Sequence, residues 1–335
     1  MDDITTRKRT KALWHKAEQE AKKESCLICG KECSSFCTSH ITPKFILANI
    51  AKNGKLFQGI GAFHKKGILN DCEKGLANTW TFKIICKECD QLYFSVYENE
   101  KTLLSPPTTR IMAAISLKSS MMQIAKRNTE LCLSNSLYND PFFKTLSDET
   151  KKTDLNDYML ELRRALKIIE KQLKSGFILV HYQILDYIVP IALQGPICIH
   201  RDFDCEIVND VIYNRKTRMQ DMFFCVFPLS SKTVIIMFHH KDDRNYIKFD
   251  RKFSKLTADK KLQFINYLIF KYCEYYAVSP LIDPEIFANK NLISLTNEIY
   301  DVNKCDLFSS GKRTELVHWE NIPNLLSQEY AIKQP

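Results

Sequence analysis

Cys26-Leu27-Ile28-Cys29-Gly30, Ser39-His40-Ile41-Thr42-Pro43-Lys44 and Cys86-Lys87-Glu88-Cys89-Asp90 are the stretches on which the reading of this chain turns. Two Cys-x-x-Cys pairs supply the four thiolates of a tetrahedral zinc site, and a long gap between the pairs is tolerated because the metal closes the loop. Gly30 favours Cys26 and Cys29 as the first pair, since a residue without Cβ lets backbone amides approach the sulfurs. Cys33 and Cys37 stand nearby as alternative ligands to them. His40 is an alternative to one cysteine, or a residue that caps a turn.

Toward the N-terminus, residues 1–25 read as a basic helix. Leu13, Trp14 and Ala17 are its few packing positions. Arg7, Lys8, Arg9 and Lys11, together with Lys44 beside His40, are the candidate nucleic-acid contacts, although a charge run of this kind also serves as a solvated face. Toward the C-terminus, Pro43 suits the first turn of a helix reaching about residue 53. Residues 55–58 and 80–85 read as strands, with Gly54, Gly59, Gly61, Gly67 and Gly75 in the loops between them. Residues 90–103 read as a helix.

Ser105-Pro106-Pro107 is the clearest boundary, because consecutive prolines cannot continue a helix. The expected organisation is therefore a basic helix (1–25), a zinc-binding module (26–104) and an α+β domain (105–335). Within the last, residues 109–131 and 154–174 read as helices. The second carries Leu155, Met159, Leu162, Leu166, Ile169 and Leu173 on one stripe. Strand-like runs follow at 177–184, 197–200, 223–227, 233–238 and 246–249, then a helix over 258–275. Strands this closely spaced leave no room for crossover helices, which predicts a mainly antiparallel sheet.

The chain has 335 residues, 45% hydrophobic and 26% charged, an ordinary globular composition. It contains no run of about 18 apolar residues, so no membrane span is expected. Met1-Asp2-Asp3 places acid where a signal peptide needs base, and a cytoplasmic location is expected. Thirteen cysteines then read as metal ligands and free thiols rather than disulfides, with Cys132, Cys198, Cys205, Cys225, Cys273 and Cys305 as scattered thiols. The net charge of +9 favours a polyanionic partner. There is no phosphate-cradling glycine loop, nucleophile elbow or dinucleotide fingerprint. His200-Arg201-Asp202-Phe203-Asp204 and His239-His240-Lys241-Asp242-Asp243 hold metal-capable residues but read as strand-to-turn exits.

The order of these motifs from Cys26 to about Glu100 resembles the HNH family of endonucleases, the zinc-stapled members of the ββα-metal group. It is similar in particular to a divergent bacterial set with Ser-His-Ile-x-Pro followed by Cys-x-x-Cys-acid. The resemblance implies an N-terminal ββα-metal module with structural Zn2+ on Cys26, Cys29, Cys86 and Cys89. It implies His40 as the general base and a catalytic Mg2+ or other divalent cation near Asp90. Ser39 stands where the family has an acid, and Glu98, about two helical turns after Asp90, is a further carboxylate for that cation. The family's middle Asn, whose backbone orients the histidine, has Thr81 or Asn78 as its counterpart. The implied activity is hydrolysis of DNA phosphodiester bonds, in a setting of bacterial defence against foreign DNA. The C-terminal domain would then control targeting, or bind a protein partner or a second copy. The other class left open is a non-catalytic zinc protein that binds nucleic acid or a protein.

Overall fold

The longest apolar runs of the chain become the middle of a seven-stranded sheet. The computed structural model describes residues 3–58, 73–137, 141–210, 218–296 and 318–333. Gly59, Gly61, Gly67, Cys305 and the side chain of Arg7 lie outside the described residues.

In chain order the elements are α1 (Asp3–Glu20), β1 (Ser39–His40), α2 (Lys44–Ala48), β2 (Lys55–Gln58), β3 (Glu73–Gly75), β4 (Thr81–Phe82), α3 (Lys87–Phe94) and α4 (Glu100–Leu103). Then come α5 (Thr109–Leu137), α6 (Pro141–Glu170), β5 (Phe177–Leu185), β6 (Ile191–Ile197), β7 (Met222–Pro228) and β8 (Thr233–His240). The described elements end with α7 (Tyr246–Phe253), α8 (Ala258–Tyr272), β9 (Tyr276–Val278) and short 3-10 turns. The large sheet runs β3-β2-β9-β6-β7-β8-β5, and β1 and β4 form a separate two-stranded ladder. All pairings between these strands are antiparallel, as expected.

Every residue of β6, β7 and β8 is buried, because both sheet faces are covered. Phe223, Cys225 and Phe227 join Val234, Ile236 and Phe238 in one core with α5 and α6. The alternate residues Met222, Phe224, Val226, Ile235 and Met237 enter a second core with α7, α8 and the C-terminal turns. The period of two is therefore present, but hidden by apolar residues on both faces.

Residues 246–249, expected as a strand, open helix α7. Tyr246, Phe249 and Phe253 recur at helical spacing and are all buried, which a strand of alternating faces would not allow. The strand expected at 197–200 lies earlier, at Ile191–Ile197, and that expected over 80–85 narrows to Thr81–Phe82. The helix expected over 90–103 is two helices, interrupted at Ser95–Asn99.

Pro106 and Pro107 separate α4 from α5. Sheet and core nonetheless run across that point. Phe57 and Gln58 of β2 pair with Val278 and Ala277 of β9, and one core cluster contains residues from Cys26 to Ala277. Helix α5 is the connecting member: it packs on α1, α3, β4, α6, β5 and β6. Its stretch 111–124 is buried on every side, including Lys118, the single charge in it.

Candidate metal centre

Backbone geometry brings the two cysteine pairs together. Leu27 N–H donates to the Ile84 carbonyl at 3.0 Å and Cys37 N–H to Ile85 at 2.9 Å, so the first knuckle lies alongside the segment entering the second. Gly30 has φ +69°, the left-handed turn that glycine accepts without a Cβ clash. It closes the knuckle through its N–H to the Cys26 carbonyl at 2.9 Å. Cys86 caps the N-terminus of α3, its sulfur accepting from Cys89 N–H at 3.4 Å.

The ligand atoms of Cys26, Cys29, Cys86 and Cys89 all lie within 4.8 Å of one another. Cys29 Sγ and Cys86 Sγ are 3.9 Å apart. Tetrahedral zinc with bonds of about 2.3 Å requires sulfurs about 3.8 Å apart, so the cluster fits that ion. Cys26 Sγ accepts the Cys86 backbone N–H at 3.4 Å. Burial raises the Cys26 thiol, but amide donors, first that of Cys29 and then that of Cys86, outweigh it and bring it down to about 7. Cys33 and Cys37 are outside the cluster, and so is His40. Burial and the Asp90 carboxylate beside it push the Cys37 thiol up to about 11.

His40 sits at the end of the β1–β4 ladder, where it pairs with Thr81 and Ser39 pairs with Phe82. Its Nε2 is 3.0 Å from the Leu76 carbonyl oxygen. A carbonyl only accepts, so Nε2 carries the proton and Nδ1 the lone pair. Burial holds the ring below its ordinary pKa; the Leu76 carbonyl opposes this, and the charges of Lys118 and Lys44 add to it. The backbone that orients His40 is thus Leu76, neither Asn78 nor Thr81. Trp80 anchors the ladder to the large sheet. Its backbone is left-handed at φ 50°, its indole N–H donates to the Tyr276 carbonyl at 3.0 Å, and its ring meets Tyr275 edge-on.

Asp90 lies in the first turn of α3. Its Oδ1 is buried with no partner among the described residues, as is the Ser39 hydroxyl. Glu98 is ion-paired to Lys118, whose ammonium also lies 4.6 Å from the centre of the Phe94 ring. Among the described residues, the four cysteines are the sole group of three or more His, Cys, Asp or Glu ligands at metal distance. The residues near His40 therefore form no closed cage. Of the two carboxylates expected to hold a divalent cation, Asp90 keeps an unpartnered oxygen among the described residues and Glu98 is engaged by Lys118.

Lys118 escaped the sequence reading. Its signal was there, as the lone charge within an apolar helix, and such a residue is seldom buried without a partner. Of the basic candidates, Lys8, Arg9, Lys11 and Lys44 are exposed. Among the described residues no helix is long and apolar enough to cross a membrane. Comparison with protein-family models, curated proteins and solved structures yields no match for this chain.

Proposed function

We propose that residues 26–104 form a zinc-stapled, HNH-like nuclease module that hydrolyses phosphodiester bonds of DNA. The observation that carries the reading is the joint placement of His40 and Asp90. His40 ends one strand of a two-stranded ladder with its Nε2 at a backbone carbonyl, and Asp90 lies in the first turn of α3, directly after the last of the four clustered cysteines. In this reading the zinc is structural, since its four ligands are thiolates and none is left for substrate.

The chemistry assigned to the chain's own groups is short. His40 is kept neutral by burial and by two neighbouring cations. Its Nδ1 lone pair takes a proton from the attacking water as general base. A divalent ion, when bound at Asp90, would neutralise charge on the phosphate and the leaving oxygen. Exposed Lys44, on the turn after Pro43, and Lys8, Arg9 and Lys11 of α1 offer phosphate contacts.

The test is conversion of supercoiled plasmid to nicked circle by purified protein with magnesium, manganese or nickel. Nicking is expected and should be lost in His40→Ala. Intact plasmid under all three metals, with RNA also uncut, would favour the non-catalytic zinc protein. The Lys118–Glu98 ion pair is the observation that favours that second reading, because it occupies one carboxylate of the expected cation site.

A further inference from the structure

The two edges of the seven-stranded sheet are unlike. Strand β3 forms one of them; it has three residues, all exposed, and Glu73 and Lys74 carry charge. Short length and charge are common means by which an edge avoids pairing with another chain. Strand β5 forms the other edge and has neither. It runs nine residues, Phe177-Ile178-Leu179-Val180-His181-Tyr182-Gln183-Ile184-Leu185, with no Lys, Arg, Asp, Glu or Pro among them. Burial holds His181 below its ordinary pKa, so the strand is uncharged at neutral pH. Its one irregularity is a register shift against β8 between Leu179 and His181.

Solvent reaches this edge. Ile178 is 40% exposed and residues 179–184 are half-buried, whereas β6, β7 and β8 are buried throughout. The inner side of β5 is paired along its length with β8. On the outer side, no hydrogen bond among the described residues reaches the backbone of residues 177–185. A row of open N–H and C=O groups on a long apolar strand is a template for one further strand.

The ends of β5 say which strand fits. Exposed Lys174 stands before it, and Asp186 stands directly after it, 84% exposed beside Lys232. That surface ion pair is of small worth and leaves the carboxylate open to a second cation. An antiparallel strand of the same sequence brings the basic entry of one copy to the acidic exit of the other, twice by symmetry, whereas a parallel one sets like ends together. Identical residues meet at a two-fold axis, and like charges placed opposite are destabilising, so a self-pairing strand has to be uncharged, as this one is. Leu173 and Ile178, two of the exposed large apolar side chains, flank the entry and would be covered with it.

We infer that β5 is a dimer edge, which pairs antiparallel with β5 of a second copy of this chain and joins the two sheets into one. Strands β2 and β3 then stand at the outer ends of the joined sheet. The assignment does not depend on the nuclease reading.

Sedimentation equilibrium of the full chain, with hydrogen exchange over residues 177–185, tests it. A species of twice the 39.0 kDa chain mass is expected at micromolar concentration, with more β5 amides protected in the dimer than in the diluted monomer. Ile178→Lys, at a position already exposed, should weaken dimerisation about tenfold, because both copies change at once. Lys174→Glu and Asp186→Lys should each weaken it, and the double variant should recover it. Any of five results would overturn the inference: a monomer at high micromolar concentration, an open series of larger species, a dimer indifferent to Ile178→Lys, charge reversals without recovery, or β5 amides fully protected in the monomer. The last would mean that the chain covers this edge itself.

Discussion

The cysteine module and the sheet behind it meet the same requirement, a fixed backbone, by different means. Strands β5 to β8 run seven to nine residues, and β6, β7 and β8 are buried throughout between two hydrophobic cores. Apolar burial at about 25 cal/mol per Å2 can hold strands of that length. The β1–β4 ladder has two residues on each side, and α2 has five. Elements that short do not pay for their own ordering, because the backbone cost is about 1–2 kcal/mol per residue. The four sulfurs can supply what is missing: a metal held by them would close the loop from Cys29 to Cys86.

The largest effect should come from breaking that crosslink. Cys86→Ser, or stripping the metal with a strong chelator, removes a contribution on the order of 10 kcal/mol in small zinc folds. Amide exchange in residues 26–48 and 81–94 should become fast, while β6, β7 and β8 keep their protection. Metal analysis of the untreated protein should find about one zinc per chain. If the central strands lose protection together with the knuckles, module and sheet are one cooperative unit and the contrast fails.

The next largest effect separates chemistry from structure within the module. His40→Ala should lower nicking by about 100-fold or more, the usual worth of a general base. Zinc content and melting temperature should hardly move, since His40 lies outside the cysteine cluster. Loss of zinc in this variant would instead make His40 a structural residue. Asp90→Ala should raise the concentration of divalent metal needed for cleavage.

The two regions also differ in how much the sequence disclosed. The cysteine spacing singled out the four thiols that the fold gathers into one cluster. The antiparallel pairing of β7 and β8 followed from the connection over residues 229–232, which is too short for a crossover. What stayed hidden depends on distance along the chain. Nothing local to residues 55–58 says that they pair with residues 277–278. Nothing near His40 says that the carbonyl orienting it comes from Leu76, because that contact is made by backbone and leaves no side-chain signature. Tyr246 to Phe249 misled because four residues contain two aromatics whose spacing fits a helix only when Phe253 is included. The clusters at His200 and His239 read as turn exits. His239 is bonded, its Nε2 lying 2.9 Å from Asp250, while His200 lines a cavity beside α6 and α8.

A smaller effect tests the joint between the regions. Lys118 of α5 reaches from the side of the sheet into the module, where it pairs with Glu98 and lowers the His40 pKa. Lys118→Met keeps the stem and removes the charge. Breaking a fully buried pair costs about 3–5 kcal/mol, but Glu98 is partly exposed, so about 1–3 kcal/mol is expected here. Without the ammonium the His40 pKa should rise. The acidic limb, on which nicking gains rate as His40 loses its proton, should then move to higher pH. An unshifted pH profile with reduced stability would make Lys118 a packing residue alone.

The smallest effect belongs to the sheet region, at Asp221 just before β7. Asp221 is raised to about 8 in the folded chain, against an unfolded carboxyl near 3.9. Its folded form therefore holds a proton that the unfolded form has released. The stability tied to that proton is complete below about pH 4 and is lost as pH rises through 8. Asp221→Asn removes this dependence. The variant should melt higher than the wild type at pH 8.5, and the difference should shrink toward zero or reverse at pH 4.5. The buried imidazole of His200, held down to about 4 by burial and by Lys271, works with the opposite sign. It adds stability above about pH 6.5 that is lost toward pH 4, so the comparison must be made between the two proteins at each pH, where the His200 contribution cancels. Parallel melting curves across that range would show that Asp221 takes up no proton on folding.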